Sequence, residues 1–327
     1  MSWRSGCFKP DREIGDEDIT RVIDASQVLS IPPEREIIDV IPKQFIVDGL
    51  DEINDPRGMI GVRLEMEGMI ITGSKTVLHN LLRCVERAGL QVAEICLQPL
   101  ATSSVAISKD EKSLGVCLID IGGGSITISV FEQGTLQNTT VLPIGGDHIT
   151  NDIAIGLRIS TEEAERIKTK YGHAYIDDAS KEERFDVTTI GRSESEEYSQ
   201  FELAHIIEPR VEEMFELIYR EVTRLGYRDF PSGYVLTGGT VMTPGVLELA
   251  SELLQGNVRV AVPDYLGVRE PQYTTGVGLI QFAYKNAKVQ GKEVAASVSE
   301  DHSYEEPTRE RNDKPTATKK EKPKTKR

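Results

Sequence analysis

The 327-residue chain is 39% hydrophobic, enough to build two domains or one large bilobed body. Its formal charge of −15 excludes a general nucleic-acid-binding face, which needs a basic surface, and argues against a body pressed onto anionic lipid. The cysteines Cys7, Cys84, Cys96 and Cys117 form no Cys-x-x-Cys pair and read as reduced core residues of a cytoplasmic protein; the five histidines are too scattered for a zinc cluster, and no apolar run is long enough to span a bilayer.

The segment from Met1 to Pro10 lacks the apolar core of a secretory signal. Asp16 to Ser30 predicts an amphipathic helix, with Ile19, Val22, Ile23 and Val28 on one face. Ile37 to Val47 predicts a strand interrupted by Pro42, at an edge or a bulge. Gly61 to Met66 and Met69 to Thr72 predict two further strands. Lys75 to Ala88 predicts a helix striped by Leu78, Leu81, Leu82 and Val85 and closed by Gly89. Val92 to Leu97 predicts a strand that runs into Gln98-Pro99. Leu114 to Ile119, Ser125 to Phe131 and Thr135 to Leu142 predict a meander, with Gln133-Gly134 as one turn.

Two helices follow, Asp147 to Leu157 and Ser160 to Tyr171. His173 to Gln200 is polar, with one short strand at Phe185 to Thr189. Phe201 to Leu225 predicts a long helix striped by Ile206, Ile207, Val211, Met214, Phe215 and Ile218; Pro209 either kinks it or marks a helix start within it. Tyr234 to Leu236, Val246 to Leu254 and Val258 to Ala261 resume the α/β pattern. From Asn286 the composition is that of a disordered tail. Lys314 to Arg327 holds seven basic residues and one acid, which leaves −21 on the rest of the chain.

Two glycine-rich turns carry the chemistry. Gly122-Gly123-Gly124-Ser125 follows an apolar strand, and so does Gly238-Gly239-Thr240. Glycines let backbone approach a phosphate or a base, and successive N–H groups cradle an anion. Asp120, just before the first turn, suits a metal ion held through water. Between the turns, a helix with an N-cap signal at Thr161 puts Glu165 and Lys168 three apart on one face, a pair suited to a ribose and an adenine edge. Each turn alone also reads as an ordinary tight turn, and the pair alone as a solvated surface ion pair. Together they predict a nucleotide clasped between two parts of one fold.

The string from Leu142 to Ala154 (LPIGGDHITNDIA), Val40 to Gly49, Asp55 to Glu65 and Tyr273 to Leu279 resemble the FtsA family of bacterial cell-division proteins. That family lies in the actin, sugar-kinase and heat-shock-70 superfamily, and the resemblance runs over residues 11–286. It implies an α/β fold of the actin-like (ribonuclease-H-like) bilobed type with an inserted FtsA-type α+β subdomain. By this resemblance residues 1–74 form the inserted subdomain and 75–112 a remnant of the first lobe. Residues 113–158 and 231–285 form the second, nucleotide-binding lobe, 159–230 an inserted subdomain that contacts FtsZ, and 286–327 the tail. The superfamily's opening Asp-x-Gly phosphate hairpin has no counterpart here. The expectation is a chain shortened at its N-terminus, with an incomplete first lobe and without the family's C-terminal membrane helix.

The same resemblance assigns roles. Gln98 matches the polar crossover residue that orients attacking water. Asp120 holds hydrated magnesium, and Gly122, Gly123 and Gly124 hold phosphate oxygens, with Ser125 as the loop's hydroxyl residue. Thr127 stands where many members have an Asp, which thins the magnesium shell. Gly145 and Gly146 pass the sugar side, Glu165 and Lys168 flank the ribose, and Gly238, Gly239 and Thr240 line the adenine. The implied ligands are ATP or ADP with Mg. The implied partners are the FtsZ C-terminal peptide, further copies of the chain in filaments, and later division proteins through residues 1–74. The basic tail implies weak, salt-sensitive contact with anionic membrane at the inner face of the septum. The implied function is a division scaffold that is at most a weak ATPase. A catalytically active kinase or chaperone ATPase and a nonfunctional fragment are the alternatives.

Overall fold

The computed structural model describes residues 2–6, 13–27, 31–93, 95–191 and 195–289. The first unit holds strand β1 (Ser2–Gly6), helix α1 (Asp16–Gln27) and strands β2 (Arg35–Val47), β3 (Leu50–Ile53) and β4 (Arg63–Ser74). The strands make one antiparallel sheet in the order β1-β4-β2-β3. Val40, Phe45, Val47, Leu64 and Met66 pack with Ile14, Ile19 and Val22 into its core. Along β2 the buried face switches from an even position, Val40, to the odd positions Phe45 and Val47. The register shift between Pro42 and Gln44 is the cause, because one extra residue flips every later side chain to the other face. Pro42 therefore sits at a bulge.

Several expectations change here. The segments from Gly61 to Met66 and Met69 to Thr72 are one continuous strand, β4. Gly68 lets it pass close to β2, since a Cβ there would lie 2.9 Å from the Ile41 carbonyl oxygen. The short strands β1 and β3 lack a strong alternating apolar pattern, and the sequence did not predict them.

Helix α2 (Lys75–Arg87) starts directly after β4. It ends as predicted at Gly89, whose φ is +80°. Gly89 N–H donates to the Glu86 carbonyl (2.9 Å) and Leu90 N–H to the Val85 carbonyl (3.3 Å), the paired bonds of a Schellman cap. Its apolar stripe does not reach a core: no residue of the helix is buried, and Leu81 is 61% exposed. Cys84 is exposed on it and is no core residue. The predicted strand at 92–97 is also absent among the described residues. A strand exists only with a hydrogen-bonded neighbour, and no described strand pairs with this segment.

The remainder is α/β. Helices α3 (Gln98–Ala106) and α4 (Lys109–Leu114) lead to strands β5 (Val116–Ile121), β6 (Ile126–Glu132) and β7 (Thr135–Leu142). The β6–β7 turn has positive φ at both Gln133 and Gly134, as the favoured two-residue hairpin turn requires. Then come α5 (Gly146–Leu157), α6 (Thr161–Tyr171), the hairpin β8 (Arg184–Thr188) and β9 (Ser195–Ser199), and α7 (Gln200–Arg224). They are followed by β10 (Tyr234–Thr237), α8 (Val246–Leu253), β11 (Val258–Val260) and α9 (Thr274–Val289). Ser160, not Thr161, caps α6, accepting from Glu163 N–H at 3.2 Å. Pro209 lies inside one continuous α7, and β9 was not predicted. Helix α9 runs past the Asn286 boundary. Cys7, the expected end of the first helix at Val28 to Ser30, and the tail from residue 290 lie outside the described residues.

The five-stranded sheet has the order β11-β10-β5-β6-β7, with β10 parallel to both β5 and β11. Its central strand β5 shows why the sequence folds this way. Cys117, Ile119 and Ile121 face the core made with α5 to α8, while Val116 and Leu118 face Ala106, Ile107 and the α3 side. A strand with apolar residues at both parities needs cover on both faces, and both are covered. Burial also pushes the Cys117 thiol up, which leaves it inert. Helix α3 docks on α9, where Thr102 and Thr275 share a hydroxyl hydrogen bond of 2.7 Å.

Candidate functional site

The site follows from one pairing. Strands β5 and β10 run parallel with Asp120 beside Thr237, so both glycine turns leave the sheet at the same end. The carboxyl ends of parallel strands are where α/β sheets open a crevice.

Three loops meet there. Gly122 N–H closes the first turn on the Ser125 carbonyl at 3.0 Å. The Gly122 carbonyl accepts from Gly146 N–H (3.0 Å) and from Thr240 Oγ1 (2.9 Å). Asp147 N–H donates to the Gly123 carbonyl at 2.9 Å. The first turn, the start of α5 and the second turn are thus tied through one carbonyl. Gly145 is needed for this approach, because a Cβ there would lie 2.6 Å from the Gly122 carbonyl oxygen. Gly238 has φ +98°, and a Cβ on it would overlap the Ile121 carbonyl and lie 2.5 Å from Asp120 Oδ1.

A cavity of about 360 Å³ opens beside these turns. Among the residues proposed from sequence, Gly123, Gly146, Glu165, Lys168, Gly239 and Thr240 line it. Asp147, Thr169, Met242, Thr243 and Gln272 line it too, although the sequence did not single them out. Asp147 carried a signal, an acid right after Gly145-Gly146 at a helix start. Gln272 carried none, because it arrives through the fold: its neighbour Pro271 accepts from Gly238 N–H at 3.3 Å and from Thr237 Oγ1 at 3.1 Å. Gly122, Gly124, Ser125, Gly145 and Gly238 form the framework of the turns rather than the wall.

Behind the turns, Asp120 Oδ2 accepts from Gln98 Nε2 (2.8 Å) and from Thr275 Oγ1 (3.0 Å). Gln98 is exposed at the start of α3, so α3, β5 and α9 meet at this acid. Thr127 pairs with Asp120 across β5 and β6 and is buried. Among the described residues no cluster of three or more His, Cys, Asp or Glu side chains could cage a metal. A lone carboxylate still suits magnesium, which keeps most of its waters and takes its remaining ligands from phosphates.

On α6, Lys168 Nζ lies 2.6 Å from Glu165 Oε2. Burial pushes the Glu165 carboxyl up, but hydrogen bonds from Lys168 and Thr150 outweigh it and hold the group below the usual carboxylate range. It stays ionised at neutral pH. No helix of the described residues is long and apolar enough to cross a membrane.

The solved structures that resemble this chain set its class. MreB5 of Spiroplasma citri bound to ADP aligns with TM-score 0.55 at 16% identity, over 68% of this chain and 69% of that one. A PilM–PilN type IV pilus biogenesis complex aligns with TM-score 0.55 at 16% identity, over 86% of this chain and 75% of that one. The fold is actin-like α/β. Family matches narrow the class: "Cell division protein FtsA" matches residues 117–278, and "SHS2 domain inserted in FTSA" matches residues 8–72. The FtsA of Pseudomonas aeruginosa is 40% identical over 304 residues, 91% of this chain and 72% of that protein. That of Bacillus subtilis is 60% identical over 291 residues, 89% of this chain and 66% of that protein. The chain belongs to the FtsA family. It spans 62–66% of the length of three of its curated relatives, from Bacillus subtilis, Enterococcus hirae and Enterococcus faecalis.

Proposed function

We propose that this chain is an actin-like scaffold of bacterial cell division that binds an adenine nucleotide between its two glycine turns. One observation carries the nucleotide reading. Residues from four separate segments, Gly123, Gly146, Glu165 with Lys168, and Gly239 with Thr240, line one cavity. A volume of about 360 Å³ lies in the range of small-molecule sites.

In this reading the base lies against Gly239 and Thr240, with Gly238 setting the turn. The ribose lies by Glu165, Lys168 and Gly146, with Gly145 allowing the close approach, and the phosphates reach the tip at Gly123, with Gly124 and Ser125 completing that turn. Gly122 shapes that tip rather than binding, since its own N–H is spent on Ser125. Asp120 would hold hydrated magnesium, which supplies charge neutralisation at the phosphates when bound. Gln98 would orient water. Its amide donates to Asp120 at 2.8 Å, which puts it beside the group that would hold the metal.

Family membership supports the wider role: FtsZ filaments tethered at the septal membrane, self-association into filaments, and later division proteins met through residues 1–74. Residues 113–158 with 231–285 are the nucleotide lobe in this reading, and 159–230 the FtsZ-facing subdomain. The basic tail adds weak membrane contact, at roughly 1 kcal/mol per basic residue near an anionic surface.

The test is calorimetric titration of the full chain with ADP, with and without magnesium. The expected result is saturable one-to-one binding that magnesium tightens. Absence of saturable binding in both buffers overturns the nucleotide reading.

A further inference from the structure

Lys168 lies at the back of the cavity. Its side chain is 12% exposed, and its ammonium pairs with Glu165 Oε2 at 2.6 Å. It also donates to Thr150 Oγ1 (2.8 Å) and to the Gly146 carbonyl (3.2 Å). An ammonium has three donors, and these three contacts take them. Glu165 is different. Its side chain is 51% exposed, and its Oε2 is drawn back onto Lys168 and Thr150.

Thr150 joins the two. It is buried on α5, one turn after Gly146. Its hydroxyl donates to Glu165 Oε2 and lies 3.1 Å from the Gly146 carbonyl. A threonine bonded to its own helix one turn back is commonplace. Its contact across to a carboxylate on α6 is not explained by that habit. A hydroxyl has one proton, and the charged acceptor binds it about twice as strongly as a carbonyl does. In a helix threonine χ1 divides between two rotamers, and the contact with the Gly146 carbonyl marks the one that lets the oxygen bond one turn back.

We propose that Thr150 is a positioning residue: with Lys168 behind it, its hydroxyl fixes the Glu165 carboxylate in the pose that faces the cavity. Glu165, not Lys168, then makes the polar contact to a ligand's vicinal sugar hydroxyls. Lys168 acts through Glu165. Sites whose contacting groups are locked by a supporting layer lose affinity when that layer is loosened. A shallow recess on the other side of Glu165, lined also by Thr150 and Thr161, holds the titratable groups Asp147 on α5 and Glu162 on α6, and both add negative charge beside Glu165.

Two variants test this on the full chain. Thr150→Val keeps the shape and removes the hydroxyl, and Thr150→Ser keeps the hydroxyl. The first readout is the Glu165 carboxyl titration by NMR without ligand, assigned by the signal lost in Glu165→Gln. The second is ADP affinity. Only the second rests on the nucleotide reading above. The expected result is that Val moves the Glu165 midpoint up toward the ordinary carboxylate value and weakens ADP by about three- to tenfold, the worth of one hydrogen bond. Ser leaves both near wild type. An unmoved midpoint in Val, or a Ser variant that behaves like Val, overturns the proposal. A shifted midpoint in a protein that never binds ADP keeps the positioning role and removes the nucleotide. Should Val fail to fold, Thr150→Ala is held to the same two outcomes.

Discussion

Gly239→Asp is expected to leave the fold intact and to weaken ADP binding by about a hundredfold or more. A Cβ at Gly239 would meet nothing nearer than Gln272 Cβ at 3.8 Å, an ordinary contact. The added Cβ presses on no backbone, so stability should move by about 0.5 kcal/mol or less. Its carboxylate, however, enters the cavity. A ligand seated there would have to bury that charge without a partner, which costs several kcal/mol. Calorimetric titration with ADP checks the affinity, and thermal unfolding checks the fold. Equal ADP affinity in wild type and variant would show that the second glycine turn does not touch the ligand.

One residue earlier the expectation reverses. Gly238→Ala should cost about 2–6 kcal/mol, adding overpacking of about 1–3 to backbone strain of about 1–3. Gly238 sits at φ +98° and ψ 164°, a region that side-chain-bearing residues avoid. Its Cβ would press on the Ile121 carbonyl and on Asp120 Oδ1, both at the end of β5. That is a large share of the roughly 5–15 kcal/mol typical of a folded domain. Gly239→Ala, with no such overlap and no positive φ, should change stability by under about 1 kcal/mol. Denaturant midpoints of the two alanine variants measure the difference. Equal midpoints would mean that the two turns do not press together as described.

These neighbours also show what a sequence conveys. The glycine turns, Asp120, and the acid–base pair on α6 are local strings, and their spacing after apolar strands marks them. The sequence cannot say which glycine is framework and which is wall, because that depends on a carbonyl from a strand more than a hundred residues away. Gly238 and Gly239 look alike in the string and differ only in the fold. The meander β5–β7 was legible because β5 and β6 are mostly apolar or β-branched and glycine turns punctuate all three strands. The expected strand at 92–97 is absent among the described residues, since a run of strand-forming residues is only half of a strand and the hydrogen-bonded partner is the other half. The stripe of α2 misled for a related reason: amphipathicity says that a face can be buried, not that something lies on it. Gln272 and Thr243 joined the cavity through loop placement, and Thr150 reached Glu165 through a contact between two helices. No local pattern marks any of them.

The central claim is that these segments enclose one nucleotide. Hydrogen–deuterium exchange of the full chain, with and without saturating ADP and magnesium, tests it most directly. Exchange is expected to slow, on ligand addition, at residues 122–125, 146–150, 165–169 and 239–243 together. Protection confined to other parts of the chain, or to only one of the two glycine turns, would contradict it.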